Sequence, residues 1–276
     1  MKILITGQNG QVARCLKQVN GAHELVFLAR PQIDMLRPAG LREPVLRARP
    51  DIILSCAALT SVDACEADPQ AAFAINAEAP GVLAQAASEL DIPIIHLSTD
   101  YVFGGRQAVP YRETDTPDPI NVYGRSKLEG EERVAEARRH VSLRTTWIYS
   151  PFGGFLRAAQ AQVAETGEAR VVADQIACPT SGLDLARALF AMAGQLMSDE
   201  ALFHGVFHGA GAAPGRRTEI VRAAYSEARI VEMNSADFFS GAPRPLYSAL
   251  DSSKLTDAYG VRLRGWRDAL SEAVHS

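Results

Sequence analysis

The sequence predicts an α/β protein built around a doubly wound parallel sheet, with a smaller lobe in its C-terminal part. In the first half of the chain, short strands that are apolar throughout alternate with segments of helical periodicity. Glycines and small polar residues directly follow several of these strands, at the end of a parallel sheet where ligands bind.

The elements of the main sheet follow from local patterns. The apolar run 2–6 ends at a glycine, and apolar spacing within 11–19 predicts the first helix. An isoleucine-rich run at 51–55 predicts a buried strand, after a helix that ends at Pro50. The remaining strands are predicted at 24–28, 92–97 and 141–144, and the helices at 41–48, 69–90 (with Pro80 as a kink or break) and 121–139.

The later part of the chain is less regular. A strand is predicted at 171–173, and a turn through Pro179 leads to a helix over 184–197. Frequent Gly and Pro in 205–250 predict loops with short elements. We expect a Rossmann domain over 1–149, to which 174–205 and about 243–262 return, and mainly a small second lobe over 150–276, centred on 150–173 and most of 206–242.

Composition excludes several classes of function. The net charge is −4, whereas a nucleic-acid surface needs clustered Lys and Arg, so we expect no nucleic-acid partner. The N-terminal run is too short for a secretion signal, and no stretch is long and apolar enough for a membrane span. The four cysteines lack C-x-x-C spacing, which indicates reduced thiols in a cytoplasmic protein without a zinc or redox site.

A glycine-rich turn follows the first strand. Gly7 and Gly10 in Gly7-Gln8-Asn9-Gly10 would let the backbone approach a pyrophosphate at a helix N-terminus. The third glycine of the usual pattern is replaced by Ala13, and a plain tight turn fits the same residues. Its position in the first strand–helix unit favours dinucleotide binding.

Arg30 and Asp34 lie after the second strand. An arginine there suits the 2′-phosphate of NADPH, although a solvent-facing arginine fits equally well. Asp34 either lies near the adenine or ends a turn. We therefore expect NADPH as cofactor, with NADH as the alternative.

Tyr123 and Lys127 form the most informative pair in the chain. Four positions apart on a predicted helix, they share one face. A cation there favours the phenolate and would lower the tyrosine pKa from about 10, which suits acid–base work on a carbonyl. Ser98 and Thr99 follow the fourth strand and supply hydroxyls. These features indicate a nicotinamide-dependent oxidoreductase.

Other polar residues have simpler interpretations. His204 and His208 have a metal-ligand spacing if helical, but the surrounding glycines favour structural roles. His96 in an apolar strand indicates a satisfied core residue. The pairs Arg216-Arg217 and Arg138-Arg139 are typical of solvated edges. Trp147 either packs in the core or stacks on a ring at the cleft.

Several segments together resemble the dTDP-4-dehydrorhamnose reductases, which are extended short-chain dehydrogenase/reductases. These are T-G-Q-N-G-Q-V, S-T-D-Y-V-F-G-G, N-V-Y-G-R-S-K-L-E-G-E and R-T-T-W-I-Y. Asp174-Gln175 with Pro179-Thr180 and the region from Arg244 to Leu255 are similar to later blocks of that family. The similarity spans nearly the whole chain.

The resemblance implies reduction of the 4-keto group of dTDP-4-dehydro-L-rhamnose by NAD(P)H in dTDP-rhamnose biosynthesis. Tyr123 would donate the proton, Lys127 would lower its pKa and hold the nicotinamide ribose, and Thr99 would tune the site. Asp100 and Trp147 would contact the sugar nucleotide. The implied cofactor residues are Gly7, Gly10, Gln11, Val12, Arg30, Asp34, Met35, Ala57, Ala58 and Leu59, with Tyr123 and Lys127.

The chain departs from the family pattern at three positions. Cys15 and Leu183 occupy places used by some members for a magnesium-bridged dimer, which counts against magnesium and that dimer. Ala249 replaces a usual arginine, which puts one diphosphate contact in question. A monomer and a homodimer both remain open.

Three rival functions stay open. An epimerase or dehydratase is one, but Asp100-Tyr101 lacks the acidic pair that elimination requires. A reductase of another dTDP-4-keto-deoxysugar is the second. A non-catalytic, cofactor-binding regulatory subunit, like that of some methionine adenosyltransferases, is the third.

Overall fold

The computed structural model describes residues 1–199, 204–238 and 241–275, and within them the chain forms a mixed α/β fold. The strands are β1 (Lys2–Thr6), β2 (Glu24–Leu28), β3 (Ile52–Ser55), β4 (Ile94–Thr99), β5 (His140–Thr145), β6 (Ile148–Tyr149), β7 (Glu168–Val172), β8 (Thr180–Ser181), β9 (Gly205–His208) and β10 (Arg229–Met233). 

Most of the helices lie between these strands in the chain, and three follow β10. They are α1 (Gln11–Val19), α2 (Arg42–Ala48), α3 (Val62–Ala67), α4 (Pro69–Phe73), α5 (Ala79–Glu89), α6 (Val122–Val134), α7 (Phe155–Thr166), α8 (Gly182–Ser198), α9 (Arg217–Ala224), α10 (Ser235–Phe238), α11 (Ser253–Tyr259) and α12 (Trp266–His275). Over the described residues, no helix combines the length and apolar character needed to span a membrane.

The main sheet is parallel and has the order β2-β1-β3-β4-β5-β9. The strand order reverses between β1 and β3, so a crevice opens at the carboxyl ends of these two strands. The predicted doubly wound fold is confirmed. Each polar residue that the sequence places after a strand therefore lies at one edge of the sheet.

Apolar helix faces cover both sides of the main sheet. On one side α1, α8 and α11 contribute Leu16, Leu189 and Leu255 to a continuous buried cluster. On the other side α2, α5 and α6 contribute Val45, Leu83 and Val134. Burying both faces explains why the strands are apolar throughout rather than alternating.

A second, smaller layer follows the main sheet in the chain. Its parallel pair β7–β10 packs with α7, α9 and α12 through a separate apolar cluster. The short pair β6–β8 leads from the main sheet towards this layer. The proposed domain limits at 149, 205 and 262 stay a prediction, and residues 200–203 of the returning segment lie outside the described residues.

The structure corrects three sequence-based element assignments. The predicted helix 69–90 is interrupted by a π-helical turn at Ala74–Glu78, ahead of Pro80. Helix α6 ends at Val134 rather than at residue 139, and Arg139, just before β5, donates from its side chain to the carbonyl of Leu196. Residues 205–208, at the start of the region predicted as loops with short elements, form strand β9 of the main sheet, because four residues beside glycines carry too short a pattern to detect.

Candidate active site

A single cavity of about 780 Å³ opens at the carboxyl edge of β1, β3, β4 and β5. The sequence-predicted residues that line it are Gly7, Gly10, Gln11, Val12, Arg30, Asp34, Met35, Ala57, Ala58, Thr99, Asp100, Tyr123, Lys127 and Trp147. Leu59 is the predicted residue that does not line this cavity. The fold therefore brings nearly all of the predicted site residues together.

The turn after β1 requires glycine at its first position. Gly7 has a φ of +82°, and a Cβ there would lie 3.0 Å from the Cα of Ala57. The amide of Gly10 donates to the carbonyl of Gly7 at 2.8 Å, which closes the turn before α1. The backbone thus stays open at the start of α1, where an anion would meet free amides.

Two buried side chains fix the segment after β3 against this turn. The hydroxyl of Thr6 accepts hydrogen bonds from the amides of Cys56 and Ala57 at 3.1 and 3.0 Å. Asn76, in the π-helical turn, bonds both backbone groups of Leu59 and also the hydroxyl of Ser126 on α6. Asn76 was missed by the sequence analysis, since no local pattern marks a buried amide in an alanine-rich helix.

The far end of the cavity is lined by residues that follow β2. Arg30 is exposed there, and Asp34 accepts a hydrogen bond from the amide of Leu36 at 3.1 Å. Asp34 therefore both ends a turn and borders the cavity. Met35 contributes apolar surface next to it.

Helix α6 is anchored at its N-terminus, which positions Tyr123 and Lys127. The side chain of Asn121 caps the helix by accepting from the amide of Gly124 at 2.8 Å. A Cβ on Gly124 would lie 2.1 Å from the carbonyl oxygen of Tyr101, so only glycine allows this close approach to the segment after β4. The approach brings Tyr123 beside Thr99.

Lys127 is buried behind the cavity floor. Its Nζ donates to the carbonyl of Leu97 at 2.7 Å and lies 3.0 Å from Nε2 of His96. Burial lowers the pKa of Lys127 to about 8, with Glu131 opposing the shift. Burial and the Lys127 charge hold the pKa of His96 well below its usual value, so a neutral imidazole accepts from the ammonium. The prediction of a satisfied core histidine is confirmed.

Tyr123 differs electrostatically from the sequence-based expectation. Burial raises the pKa of its phenol above the ordinary value, and a hydrogen bond with Thr99 opposes this shift. Lys127 does not lower this pKa, because its ammonium is directed to His96 and Leu97. The expected lowering is therefore wrong for this geometry. The phenol is protonated at neutral pH.

Asp100 is buried beside Tyr123 under three hydroxyl groups. Thr99 donates to its Oδ1 at 3.1 Å, Thr146 donates to its Oδ2 at 2.7 Å, and Ser248 also donates to Oδ2. Burial raises the pKa of Asp100 to about 6, and these hydrogen bonds oppose the shift. These hydroxyl contacts fix the carboxylate in place in the wall of the cavity.

Trp147 and Arg217 form a stacked pair in the cavity wall. Trp147 adopts a left-handed backbone with φ of +38°, and the guanidinium carbon of Arg217 lies 4.4 Å from its ring centroid. The assignment of Arg216-Arg217 to a solvated edge is wrong for Arg217, which is partly buried and lines the cavity. The fold alone reveals this, because it brings the start of α9 against the residues after β5.

A second arginine closes the same side. Arg244 forms a bidentate pair with Asp63, with Nη1–Oδ1 at 3.0 Å and Nη2–Oδ2 at 2.6 Å. Both residues line the cavity. The family resemblance places Arg244 in a matching block, but the sequence alone gives it no role in the site.

The positions that depart from the family pattern are buried. Cys15 and Leu183 lie in the apolar cluster between α1 and α8, and burial raises the pKa of the Cys15 thiol to about 11. Ala249 lies in another apolar cluster with Phe103 and Tyr111.

No group of three metal-ligating side chains occurs among residues 1–199, 204–238 and 241–275. His208 lies in a strand, where its Nδ1 is 3.1 Å from the carbonyl oxygen of Tyr111.

Comparison with known proteins identifies close relatives. The model of the family described as "RmlD substrate binding domain" matches residues 1–276. A protein of Sinorhizobium fredii named dTDP-4-dehydrorhamnose reductase is 38% identical over 286 residues, which cover 99% of this chain and 97% of the relative. A Streptomyces antibioticus protein named probable dTDP-4,6-dihydroxy-2-methyloxan-3-one 4-ketoreductase is 34% identical, covering 99% and 94%.

Solved structures with the same fold carry related names. The crystal structure of a dTDP-4-dehydrorhamnose reductase from Clostridium acetobutylicum has a TM-score of 0.90 and 31% identity, covering 99% of this chain and 98% of that one. The enzyme of the same name from Bacillus anthracis, solved in complex with NADP, has a TM-score of 0.90 and 29% identity, covering 99% of each chain.

Proposed function

The chain belongs to the dTDP-4-dehydrorhamnose reductase family, and on this premise we propose that it reduces the 4-keto group of dTDP-4-dehydro-L-rhamnose to give dTDP-L-rhamnose. The reductant is NADPH, with NADH as the alternative. One observation carries the proposal: Tyr123, Lys127 and Thr99 line the same cavity as the Gly7 turn.

The residues present fit a dinucleotide. Gly7 lets the turn pack closely against Ala57, where a Cβ would lie 3.0 Å from the Ala57 Cα, and this packing leaves the start of α1 as the place for a pyrophosphate. Gln11, Val12, Ala57 and Ala58 would line the pyrophosphate and ribose, and Arg30, Asp34 and Met35 would line the adenosine end. Leu59 contributes indirectly: its amide donates to the side chain of Asn76, and this hydrogen bond fixes the neighbouring Ala57–Ala58 segment. The Bacillus anthracis relative solved with NADP supports this choice of cofactor.

The proton for the reaction comes from Tyr123. When bound, the reduced nicotinamide supplies hydride to the carbonyl carbon. Because burial raises the pKa of Tyr123, its phenol is protonated near neutral pH and can donate to the developing alkoxide. Thr99 lies beside this phenol and opposes the rise of its pKa, which favours the tyrosinate that forms.

Lys127 contributes positive charge from beneath the site. Its ammonium is held by His96 and Leu97, so its position is fixed before substrate enters. A cation fixed beneath the cavity floor favours negative charge that develops on the substrate oxygen, although it does not lower the pKa of Tyr123. We assign it this electrostatic role and contact with the ribose.

The sugar nucleotide would occupy the side of the cavity formed by Asp100 and Trp147. Asp100 holds the hydroxyls of Thr99, Thr146 and Ser248 at this side, and Trp147 presents an aromatic face. The layer that contains α7 and α9 covers this side, which supports its assignment as the substrate lobe.

We place the protein in the cytoplasm as a monomer or homodimer, without magnesium, nucleic-acid or membrane partners.

A second candidate is reduction of another dTDP-4-keto-deoxysugar. The Streptomyces antibioticus relative favours it, since its name describes a different keto sugar at 34% identity. A dehydratase is disfavoured because Tyr101, at the position of the needed acid, is buried with its pKa raised to about 12. A regulatory subunit would retain the fold without turnover.

A substrate panel separates these candidates. NADPH absorbance at steady state would be followed with dTDP-4-dehydro-L-rhamnose and with other dTDP-4-keto sugars. We expect the highest kcat/KM for the first sugar. Preference for another keto sugar would favour the second candidate, and no NADPH oxidation with any sugar would favour the regulatory subunit.

A further inference from the structure

We propose that Arg217, stacked on Trp147, binds the diphosphate of the nucleotide sugar and so forms a phosphate subsite distinct from the glycine turn. The inference rests on the proposed function for the identity of the ligand. It stands on three observations about Arg217: its place in the cavity, its stacked geometry and its unbalanced charge.

The first observation is location. Arg217 lies at the start of α9 and lines the same cavity as Asp100 and Tyr123. The groups that act on its charge are Tyr101, Asp100 and Arg244, all on the sugar side of the cavity. The pyrophosphate of a dinucleotide, in contrast, is predicted at the turn after β1.

The second observation is that the guanidinium is held rigidly. It lies over the Trp147 ring at 4.4 Å and over the Phe155 ring at 5.7 Å. Stacking on aromatic faces leaves the planar edge of an arginine free to form paired hydrogen bonds with phosphate oxygens. The side chain therefore loses little conformational freedom when an anion binds.

The third observation is that no carboxylate pairs directly with this charge among the described residues, and its polar side-chain neighbour is the neutral phenol of Tyr101. No carboxylate of the described residues lies within 4.0 Å of Arg217, and its Nε has no hydrogen-bond partner. The acidic residue that acts on it, Asp100, accepts hydrogen bonds from the hydroxyls of Thr99, Thr146 and Ser248. Burial lowers the pKa of Arg217. A partly buried cation without a counter-ion is costly, and an anionic ligand group would relieve that cost.

The neighbouring arginine is differently placed. Arg244 is engaged by both carboxylate oxygens of Asp63, so its charge is already balanced. Its role is to raise the local positive potential, as its effect on the pKa of Arg217 indicates. Arg217 is thus the cation available to a diphosphate.

The test is a titration with dTDP, dTMP and thymidine, by calorimetry at saturating NADPH, of the wild-type chain and of Arg217→Gln. We expect the variant to raise the Kd of dTDP at least about tenfold, the effect of losing a charged hydrogen bond. The Kd of dTMP should rise less, and those of thymidine and NADPH should change by less than about twofold. Arg217→Lys should give an intermediate Kd for dTDP.

The matched control is Arg222→Gln, which removes the same charge from the exposed face of α9, where Arg222 pairs with Glu232. This variant should bind dTDP like the wild type. An unchanged Kd for dTDP in Arg217→Gln, an equal loss for thymidine, or no binding of dTDP by the wild type would each overturn the subsite. If Arg217→Gln does not fold, Arg217→Lys is the deciding variant. A Kd of dTDP for Arg217→Lys equal to that of the wild type would contradict binding of the diphosphate by paired hydrogen bonds from the guanidinium.

The titration separates the two proposals because it needs no turnover. A chain that binds dTDP through Arg217 but oxidises no NADPH with any keto sugar would retain the subsite and lose the proposed reaction. If Arg217→Gln reduces dTDP-4-dehydro-L-rhamnose with the same kcat/KM as the wild type, the proposed reaction stands and the proposed subsite is wrong.

Discussion

The ammonium of Lys127 on α6 lies 3.0 Å from Nε2 of His96 and donates at 2.7 Å to the carbonyl of Leu97. Two neighbouring residues of β4 therefore fix the position of this ammonium. The Nδ1 of His96 is in turn 3.1 Å from the hydroxyl of Ser55 on the third strand. A neutral imidazole that accepts from Lys127 at Nε2 carries its hydrogen on Nδ1 and donates it to Ser55, so it fixes the ammonium without a second charge. His96 and Leu97 thus supply two hydrogen-bond acceptors to an ammonium that is buried at the cavity floor.

The burial of Lys127 predicts a basic limb in the pH dependence of the rate. Its pKa is lowered to about 8, so the ammonium, and the stabilisation that it gives to negative charge, are lost above that pH. We expect kcat to fall above about pH 8. Lys127→Met should lower kcat, raise the KM for NADPH and lack this limb.

Unfolding does not account for such a limb. The native pKa of Lys127 lies below its unfolded value of 10.5, so between these values the unfolded chain binds more protons and this group adds stability as the pH rises. Thermal unfolding followed over the same pH range provides the control. A wild-type rate that stays constant to pH 10 would contradict the electrostatic role of Lys127.

Asp100 predicts a pH-dependent stability of defined sign. Its native pKa is about 6 against 3.8 in the unfolded chain, so between these values the native state binds more protons. Its contribution to stability is therefore present below pH 3.8 and is lost as the pH rises through about 6. The slope cannot exceed about 1.36 kcal/mol per pH unit for one group.

The measurement is the free energy of unfolding of the wild type and of Asp100→Asn in urea, between pH 4 and 6. The wild type should lose stability relative to the variant as the pH rises. Asp251→Asn serves as the control, because hydrogen bonds from Ser253 lower the pKa of Asp251 and reverse the sign. Parallel curves for the wild type and Asp100→Asn would refute the raised pKa.

The buried pair Arg144–Glu131 predicts a large loss of stability when it is broken. The Nη2 of Arg144 lies 2.7 Å from Oε2 of Glu131, both side chains are 4% exposed, and Ser98 also donates to Glu131. Glu131→Gln leaves the guanidinium without a counter-ion and should cost about 3–5 kcal/mol. Glu129→Gln, on the same helix, breaks the exposed pair with Arg133 and should cost about 0–1 kcal/mol.

Urea unfolding of both variants at neutral pH measures this contrast. Equal losses in Glu131→Gln and Glu129→Gln would show that burial of the first pair does not govern its energy. Since Glu131 also raises the pKa of Lys127, Glu131→Gln should shift the basic limb of kcat to lower pH.

Arg30 predicts the preference for NADPH. It is exposed at the cavity end that we assign to the adenosine, where a 2′-phosphate would find its guanidinium. Arg30→Ala should lower the ratio of kcat/KM for NADPH to that for NADH by about tenfold, the effect of about 1.4 kcal/mol. Arg37→Ala, exposed and outside the cavity lining, should leave the ratio unchanged. An unchanged ratio in Arg30→Ala would remove this residue from cofactor choice.

Local patterns were sufficient for the elements that contain the glycine turn. Strand β1, helix α1 and strand β2 have the predicted bounds, because apolar runs and helical spacing there are clear and a glycine marks the turn. The position of Tyr123 and Lys127 on one helix followed from their spacing. What the pattern could not give is the direction of the tyrosine pKa, which depends on burial and on the partners that Lys127 finds in β4.

Residues brought to the site from distant segments were not predictable. Arg217 sits in a stretch rich in glycine and proline, and its sequence neighbours give no sign that it would stack on Trp147, 70 positions earlier. Asn76 and Arg244 likewise act through contacts with segments far away in the chain, Ser126 and Asp63. Helix and strand periodicity reports which face is buried, but it does not report which faces meet.

The central claim is that the phenol of Tyr123 donates the proton, and kcat of Tyr123→Phe with NADPH and dTDP-4-dehydro-L-rhamnose tests it most directly. The variant keeps the ring that packs against Tyr101 at 5.8 Å, so the Kd of NADPH should stay within about twofold of the wild-type value. We predict a kcat at least about 100-fold lower. A kcat within a few-fold of the wild type, with NADPH bound normally, would contradict the account.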